Sequence, residues 1–249
     1  MDFSDLSTMS YNDLRVMCTN LGIPGARSKA QVVKDIVVCF REYEAYRRDK
    51  VDIYQRVRQL GDSGKEGTTF LVRVEGGGEY AMKTFRKKKS IMTLSREADL
   101  QRRGASQGIS PEVRDVDLVT KALVMDRLDR HLVDVMRKQG GLSVHHQKQI
   151  IGIYRKLDSV GVFHGDANLM NYMLKGRTLY IIDYGMAREI TPSLVSKLGT
   201  STPNINIMTL GLVLKLRSMG YGSSSYEYLV KHLTKDQLTK FGIEMDHLK

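Results

Sequence analysis

Cysteine is nearly absent. Cys18 and Cys39 are the only two in 249 residues, too few for a disulfide scaffold, so a reducing, intracellular setting is the expectation. Long apolar runs are also missing. The least charged long stretch, Leu198 to Leu214, is broken by Thr, Ser, Asn and Pro, so no segment supplies the roughly 20 apolar residues of a membrane span, and no membrane association is expected. The opening residues MDFSDLSTMS lack the basic-then-apolar order of a secretory signal. Internal repeats and long low-complexity tracts are absent as well. Acidic residues run short: 28 Asp and Glu face 39 Lys and Arg, a formal charge of +11, which favours partners carrying phosphate or carboxylate. With 41% hydrophobic and 27% charged residues, the chain can bury one substantial core with a small appendage, which excludes a disordered tail.

The charge is uneven. Up to residue 40, Arg15, Arg27, Lys29 and Lys34 balance Asp2, Asp5, Asp13 and Asp35, so the whole excess lies later. In this neutral segment Tyr11, Leu14, Val16, Met17 and Leu21 recur at helical spacing, the turn residues Gly22, Pro24 and Gly25 follow, and a second helix is predicted from Ser28 through Phe40. Two short helices around a glycine-proline turn resemble a SAP-type helix-extended-helix module over residues 1–45. Such modules usually bind DNA, so the resemblance implies a DNA contact there; a helical hairpin packed on its neighbour is the plainer reading. Cys18 and Cys39 fall on the predicted helices as small core residues. Residues 46–58 read as a charged linker.

From there the pattern changes. Phe70–Val74 and Tyr80–Phe85 are strand candidates around Gly76, Gly77 and Gly78, a hairpin. Helices are predicted near 90–107, 131–139, 143–160, 205–218 and 226–241, interrupted by strand-like pieces at 122–125, 172–174 and 179–182. A sheet-rich part followed by a helical part predicts two lobes.

The sharpest signal is VFHGDANLMNYMLKGRTLYIIDYGMA, with His164, Gly165, Asp166, Asn171, Asp183, Tyr184 and Gly185. The order H-x-D-x-x-x-x-N followed by D-[FY]-G resembles the catalytic-loop and metal-binding elements of the protein-kinase-like superfamily. Phosphoryl transfer needs a carboxylate to orient a hydroxyl and oxygen ligands to hold magnesium against nucleotide phosphates. Asp166 fits the first task; Asn171 and Asp183 fit the second. Upstream, EYAMKTF places Lys83 in a strand, resembling the lysine that contacts ATP phosphates, and SREADLQRRG supplies Glu97 to pair with it. QLGDSGKEGTTFLV offers Gly61, Gly64 and Gly67 as a phosphate-covering loop, with Asp62 where the usual pattern has a glycine. The segment KALVMDRLD resembles the hinge whose backbone meets adenine, which puts Met125 to Leu128, with Asp126 and Leu128 as binding candidates, beside the base.

The fold class implied is α+β: a bilobal protein-kinase-like domain over 59–249, with a small, mainly β N-lobe (about 59–125) and a reduced helical C-lobe (about 129–249), preceded by the all-α module. Only 64 residues follow Gly185 and no A-P-E sequence ends an activation segment. Thr191, Ser193, Ser196, Thr200, Ser201 and Thr202 are candidate autophosphorylation positions. Asn168 stands where serine/threonine kinases carry a lysine two residues after the catalytic aspartate. HGDANLMN is closer to RIO-type kinases and the kinase of the KEOPS complex, and is similar to aminoglycoside and choline phosphotransferases, so protein and small-molecule acceptors both stay open, as does a pseudokinase scaffold. The stretch YAMKTFRKKKSIMTLSREADLQRRGASQGISPEVRDVD resembles compact serine/threonine kinases of large DNA viruses such as iridoviruses. That resemblance implies a viral protein kinase that uses ATP and magnesium on protein serine or threonine, in host cytoplasm or virion. The basic run Arg86, Lys87, Lys88 and Lys89 reads as either an acidic-ligand patch or a solvated loop. The sequence sets no oligomeric state.

Overall fold

The structure, a computed structural model, describes residues 3–21, 23, 28–49, 53–86 and 88–243. The chain divides into two compact units, Met1–Arg96 with Arg114–Asp126, and Glu97–Val113 with Arg127–Lys249.

The first unit opens with helices α1 (Ser4–Thr8), α2 (Tyr11–Asn20) and α3 (Lys29–Asp49). Ser10 caps α2 by accepting the Asp13 amide (3.2 Å), and Ser28 accepts the Gln31 amide (3.3 Å) at the start of α3. Gly22, Pro24 and Gly25, the predicted turn, lie outside the described residues. The anticipated linker over 46–58 is corrected at both ends: α3 continues to Asp49, and a strand, β1, already begins at Tyr54. Arg47 and Arg48 are good helix formers and prolong a helix already nucleated upstream. β1 forms because the next strand, β2 (Gly67–Val74), offers it an antiparallel partner, a pairing that the propensity of the segment alone does not encode.

Leu6, Leu14, Met17, Cys18, Val32, Ile36 and Phe40 form the core of the helical part, and Ile91, Met92, Leu118 and Val119 pack against it. Cys18 is thus a core residue, its thiol pushed up chiefly by burial, then by Asp35 and Cys39. The helices therefore share one apolar cluster with the turn at Leu118 and Val119 and with the first turn of α4 (Ile91–Ser106). The sheet comprises β1 (Tyr54–Leu60), β2 (Gly67–Val74), β3 (Gly78–Phe85), β4 (Val113–Asp117) and β5 (Ala122–Asp126), in the order β1-β2-β3-β5-β4. β1 with β2, β2 with β3, and β3 with β5 pair antiparallel. One sheet face packs Val72, Met82, Ala122 and Val124 with Tyr54, Phe70 and Tyr80. By the two-residue period of a strand, Ala81, Lys83 and Phe85 point to the other face.

The second unit holds most of α4, then β6 (Arg130–His131), α5 (Leu132–Gln139), α6 (Val144–Ser159), β7 (Val162–Phe163), β8 (Tyr172–Lys175), β9 (Thr178–Ile181), β10 (Arg188–Glu189), α7 (Pro192–Leu198), α8 (Thr209–Ser218) and α9 (Lys235–Lys240). β6-β8-β9 form one small sheet, and β7 pairs β10. Their core includes Leu132, Met136, Ile150, Tyr154, Leu157, Tyr172, Ile181, Leu212 and Leu216. A π-turn over Asn204–Met208 leads into α8. The single helix expected over 226–241 is corrected: a 3-10 turn at Val230–His232 gives way to extended Leu233, and Thr234 starts α9 with a capping box to Gln237. A side-chain cap that satisfies the amides of a new helix wins over continuous periodicity.

The architecture, a mixture of helices and antiparallel sheet with a β-rich N-terminal region, is compatible with an α+β kinase-like fold. Among the described residues no helix is long and apolar enough to cross a membrane.

Candidate active site

Asp166 and Asn171 sit on one short loop of the second unit and are brought together. Asn171 Nδ2 donates to Asp166 Oδ2 at 2.8 Å, and the Asn168 amide donates to Asp166 Oδ1 at 3.2 Å. Asn168 also accepts the Met170 amide through Oδ1 at 3.1 Å, capping the 3-10 turn Leu169–Asn171. The residue that replaces the usual lysine is therefore a turn former. Gly165 has φ +78°, and a Cβ there would stand 3.1 Å from the Met186 carbonyl, which accounts for glycine between the histidine and the aspartate.

Asp183 follows β9. The Ile182 amide donates to the Asn171 carbonyl at 2.8 Å, so the two predicted metal ligands project from neighbouring backbone. Asp183 holds a left-handed backbone, φ +66° and ψ +76°, a conformation that costs a non-glycine residue about 1–3 kcal/mol and clusters at functional sites. Its Oδ1 accepts the Gly185 amide at 3.4 Å. Tyr184 anchors the turn: it is buried, its hydroxyl hydrogen-bonds Ser110, and the absence of a side chain at Gly104 on α4 makes room for that hydroxyl. With Asn171 Nδ2 committed to Asp166, its Oδ1 is the atom left for a cation. An amide oxygen and a carboxylate form a hard donor set that fits magnesium. Glu97 lies on α4 and is buried, at 2% exposure.

His164 is fully buried. Its Nε2 hydrogen-bonds the Ile182 carbonyl (3.1 Å), and its ring stacks edge-on against Tyr184 at 5.1 Å. Burial pulls its pKa down, opposed by the bond to Ile182 and by Asp166 and Asp183; because a carbonyl only accepts, Nε2 is the donor of that bond.

Two positioning residues carry no signal in the motif. Asn204, fully buried at the π-turn, accepts the His164 amide on Oδ1 (3.0 Å), while its Nδ2 donates to the Val162 carbonyl (2.7 Å) and to Asp158 Oδ1 (2.6 Å). Asp158 also accepts the Asn204 and Ile205 amides. Burial raises its pKa, and these three hydrogen bonds oppose the rise. The strand leading to the catalytic loop is thereby tied to α6 and to the start of α8. Of the candidate phosphoacceptors, Thr191 caps α7 by accepting the Leu194 amide, and Thr200 accepts from Asn206 Nδ2.

In the first unit, Lys83 pairs in register with Thr69 on β2 and Leu123 on β5. Its side chain is 15% exposed; the ammonium lies 3.7 Å from Glu66 Oε2 and 4.8 Å from the centre of the Phe85 ring. The glycine-rich segment forms the β1–β2 turn. Gly61 takes φ +67°, and a Cβ on Gly67 would collide with the Thr84 carbonyl, so two of the three glycines are required by backbone geometry. Gly64 donates its amide to the Gly67 carbonyl at 2.9 Å. Asp126 ends β5 opposite Tyr80 and accepts Arg114 Nε at 2.5 Å; Leu128, which belongs to the second unit, is buried.

Distant similarity to known proteins supports a protein-kinase-like superfamily. The chain is 25% identical over 206 residues to calcium-dependent protein kinase 25 of Arabidopsis thaliana, covering 75% of this chain and 39% of the relative. It is 27% identical over 161 residues to calcium-dependent protein kinase 6 of Oryza sativa subsp. japonica, covering 58% of this chain and 29% of that protein. The chain thus spans well under half the length of either relative. No family profile matches it.

Proposed function

We propose that this chain is an ATP- and magnesium-dependent phosphotransferase that modifies serine or threonine hydroxyls of proteins. The observation that carries the reading is the coupling of three motif residues on adjacent backbone: Asp166 held by Asn171, and Asn171 joined through its carbonyl to the residue before Asp183. Distant similarity to two protein kinases supports a protein acceptor over a metabolite.

In this mechanism Asp166 receives the acceptor hydroxyl. Its two oxygens are fixed by Asn171 and by the Asn168 amide, so the carboxylate is oriented before the acceptor arrives, and orientation lowers the barrier. Asn171 and Asp183 would hold the magnesium, which would neutralise phosphate charge; Lys83 would contact the phosphates, and the hinge backbone at 125–128 would meet the base. His164 braces the loop against Ile182 and Tyr184.

The test is phosphate transfer from radiolabelled ATP to generic protein substrates and to hydroxylated metabolites, comparing the native chain with Asp183→Asn. Asparagine tolerates the left-handed backbone, so the fold is retained. Transfer to protein should fall by about a hundredfold or more, the scale on which a charge-stabilising group acts. Undiminished turnover in this variant overturns the assignment, and transfer confined to metabolites overturns the protein acceptor.

A further inference from the structure

Helix α6 presents a cationic face that the candidate active site does not use. His145, Lys148, Arg155, Lys156 and Ser159 are exposed there and, with Gly152, fall within about 100° of one another around the helix axis. The stripe is about 16 Å long from His145 to Lys156, and Gln149 Nε2, by donating to the Arg177 carbonyl (3.2 Å), brings exposed Arg177 beside its start. Lys148 lays its ammonium 5.6 Å from the centre of the Tyr228 ring. Arg155 lies by His232, whose pKa is lowered first by burial and then by this guanidinium. Asp158 is the one acid in α6 and is turned inward to Asn204, so the face has no carboxylate of its own to offset its charge. No acid stands in the first turn either, where the macrodipole would favour one.

Gly152 stands in the middle of this face. Its backbone is not left-handed, and a Cβ there would meet no atom within 4 Å, so neither conformation nor packing calls for glycine, although glycine weakens a helix interior relative to alanine. Local choices that cost stability with no return in the fold mark function. Bare backbone among cations lets a bulky anion come close. The face carries no large apolar side chain to anchor a peptide and no Phe, Tyr or Trp on which a single-stranded base would stack. Cations repeated along one helix face are the footprint of a phosphodiester backbone. We propose that the α6 face binds the phosphates of duplex nucleic acid without reading its sequence, with Lys148 and Arg155 on phosphates to either side of Gly152. The contact lies on another element than the neutral N-terminal helices and is independent of phosphate transfer.

The experiment titrates the full chain and its variants into fluorescein-labelled random-sequence duplex DNA, the matching single strand and an acidic phosphopeptide, following anisotropy across a range of salt. Lys148→Gln combined with Arg155→Gln should weaken duplex binding by about fiftyfold at about 0.1 M salt and lower the log–log salt slope by about 2, the share of two phosphate contacts. Lys197→Gln combined with Lys240→Gln removes the same charge from exposed positions on α7 and α9 and should cost no more than about threefold, because distant charges are screened. Gly152→Glu should raise the thermal midpoint by about 2–4 °C, since glutamate is the better helix former, yet weaken the duplex by about tenfold by cancelling one cation. These opposite movements are not those of a merely structural position. A native chain that does not bind the duplex, equal losses in the two double variants, or a Gly152→Glu variant that binds like the native chain overturns the proposal. Tighter binding of the phosphopeptide or of the single strand than of the duplex overturns it as well.

Discussion

Replacing Asn204 with alanine tests the scaffold beneath the catalytic loop. The side chain makes three hydrogen bonds, to the His164 amide, the Val162 carbonyl and Asp158, and Asn204, His164 and Val162 are all fully buried. Alanine leaves an N–H and a C=O without partners, at about 1–3 kcal/mol each, and removes a bond to a carboxyl worth about 1.5–3 kcal/mol. Water entering the vacated space recovers part of this, so the expected loss is about 4 kcal/mol, a large fraction of a domain's stability. In urea unfolding this shifts the midpoint with little change in slope. Phosphate transfer should fall at least tenfold below what the folded fraction accounts for, because displacement of the loop by an ångström is felt at Asp166.

Asn204→Asp sharpens the test. It keeps the shape and the acceptor for His164, but sets a second carboxyl against Asp158, whose pKa burial already raises. One of two facing carboxyls must then hold a proton, so the folded-state pKa rises above the unfolded value. Stability from such a group is fully present below the unfolded value and is lost as pH rises through the folded one. The aspartate variant should therefore be weak at pH 7.5 and recover toward pH 5. A loss under about 1 kcal/mol in Asn204→Ala, or a pH-independent Asn204→Asp, refutes the bracing role.

His164 has its folded pKa depressed by burial below the ordinary 6.5, so the unfolded chain takes up a proton first and stability falls as pH drops below that value. His164→Gln should flatten this part of the urea-derived stability profile. Gly165→Ala forces a Cβ into a left-handed backbone close to the Met186 carbonyl and should lower stability by about 1–2 kcal/mol, read as a lower thermal midpoint. Phe40→Ala, at 2% exposure in the cluster shared with Leu118 and Val119, should cost about 3–5 kcal/mol. It should also speed hydrogen exchange at the Val119 and Thr120 amides; unchanged exchange there would mean that the helices and the β4–β5 turn open independently.

What the sequence made legible was whatever depends on short range. Strands β2 and β3, α4, α5 and α6 follow from periodicity, and Ser10 and Ser28 cap α2 and α3 through bonds three residues long. The loop from His164 to Asn171 was readable because five residues separate Asp166 from its partner. Asn204 was not, because forty residues separate it from His164 and nothing local distinguishes an asparagine that braces a loop from one that faces water. Lys89 was hidden for a similar reason. Four consecutive basic residues read alike, and only the turn at Arg86, whose carbonyl accepts the Lys89 amide, sends this one back onto Phe85. The helix expected at 226–241 failed because Thr234 offered a better start than a continuation.

The two departures from the common kinase loop have different physical meanings. Gly165 is dictated by backbone geometry and says nothing about the acceptor. Asn168 stands as a neutral turn former where the resembling kinases carry a cation, so on the proposed function the loop would contribute one positive charge fewer to a phosphoryl group in transfer. A chain that needs the same neutralisation must carry the charge on another element. On the proposed function the missing charge would be felt in transfer more than in nucleotide binding, because a cation two residues after the carboxylate would act on the phosphoryl group chiefly as it moves.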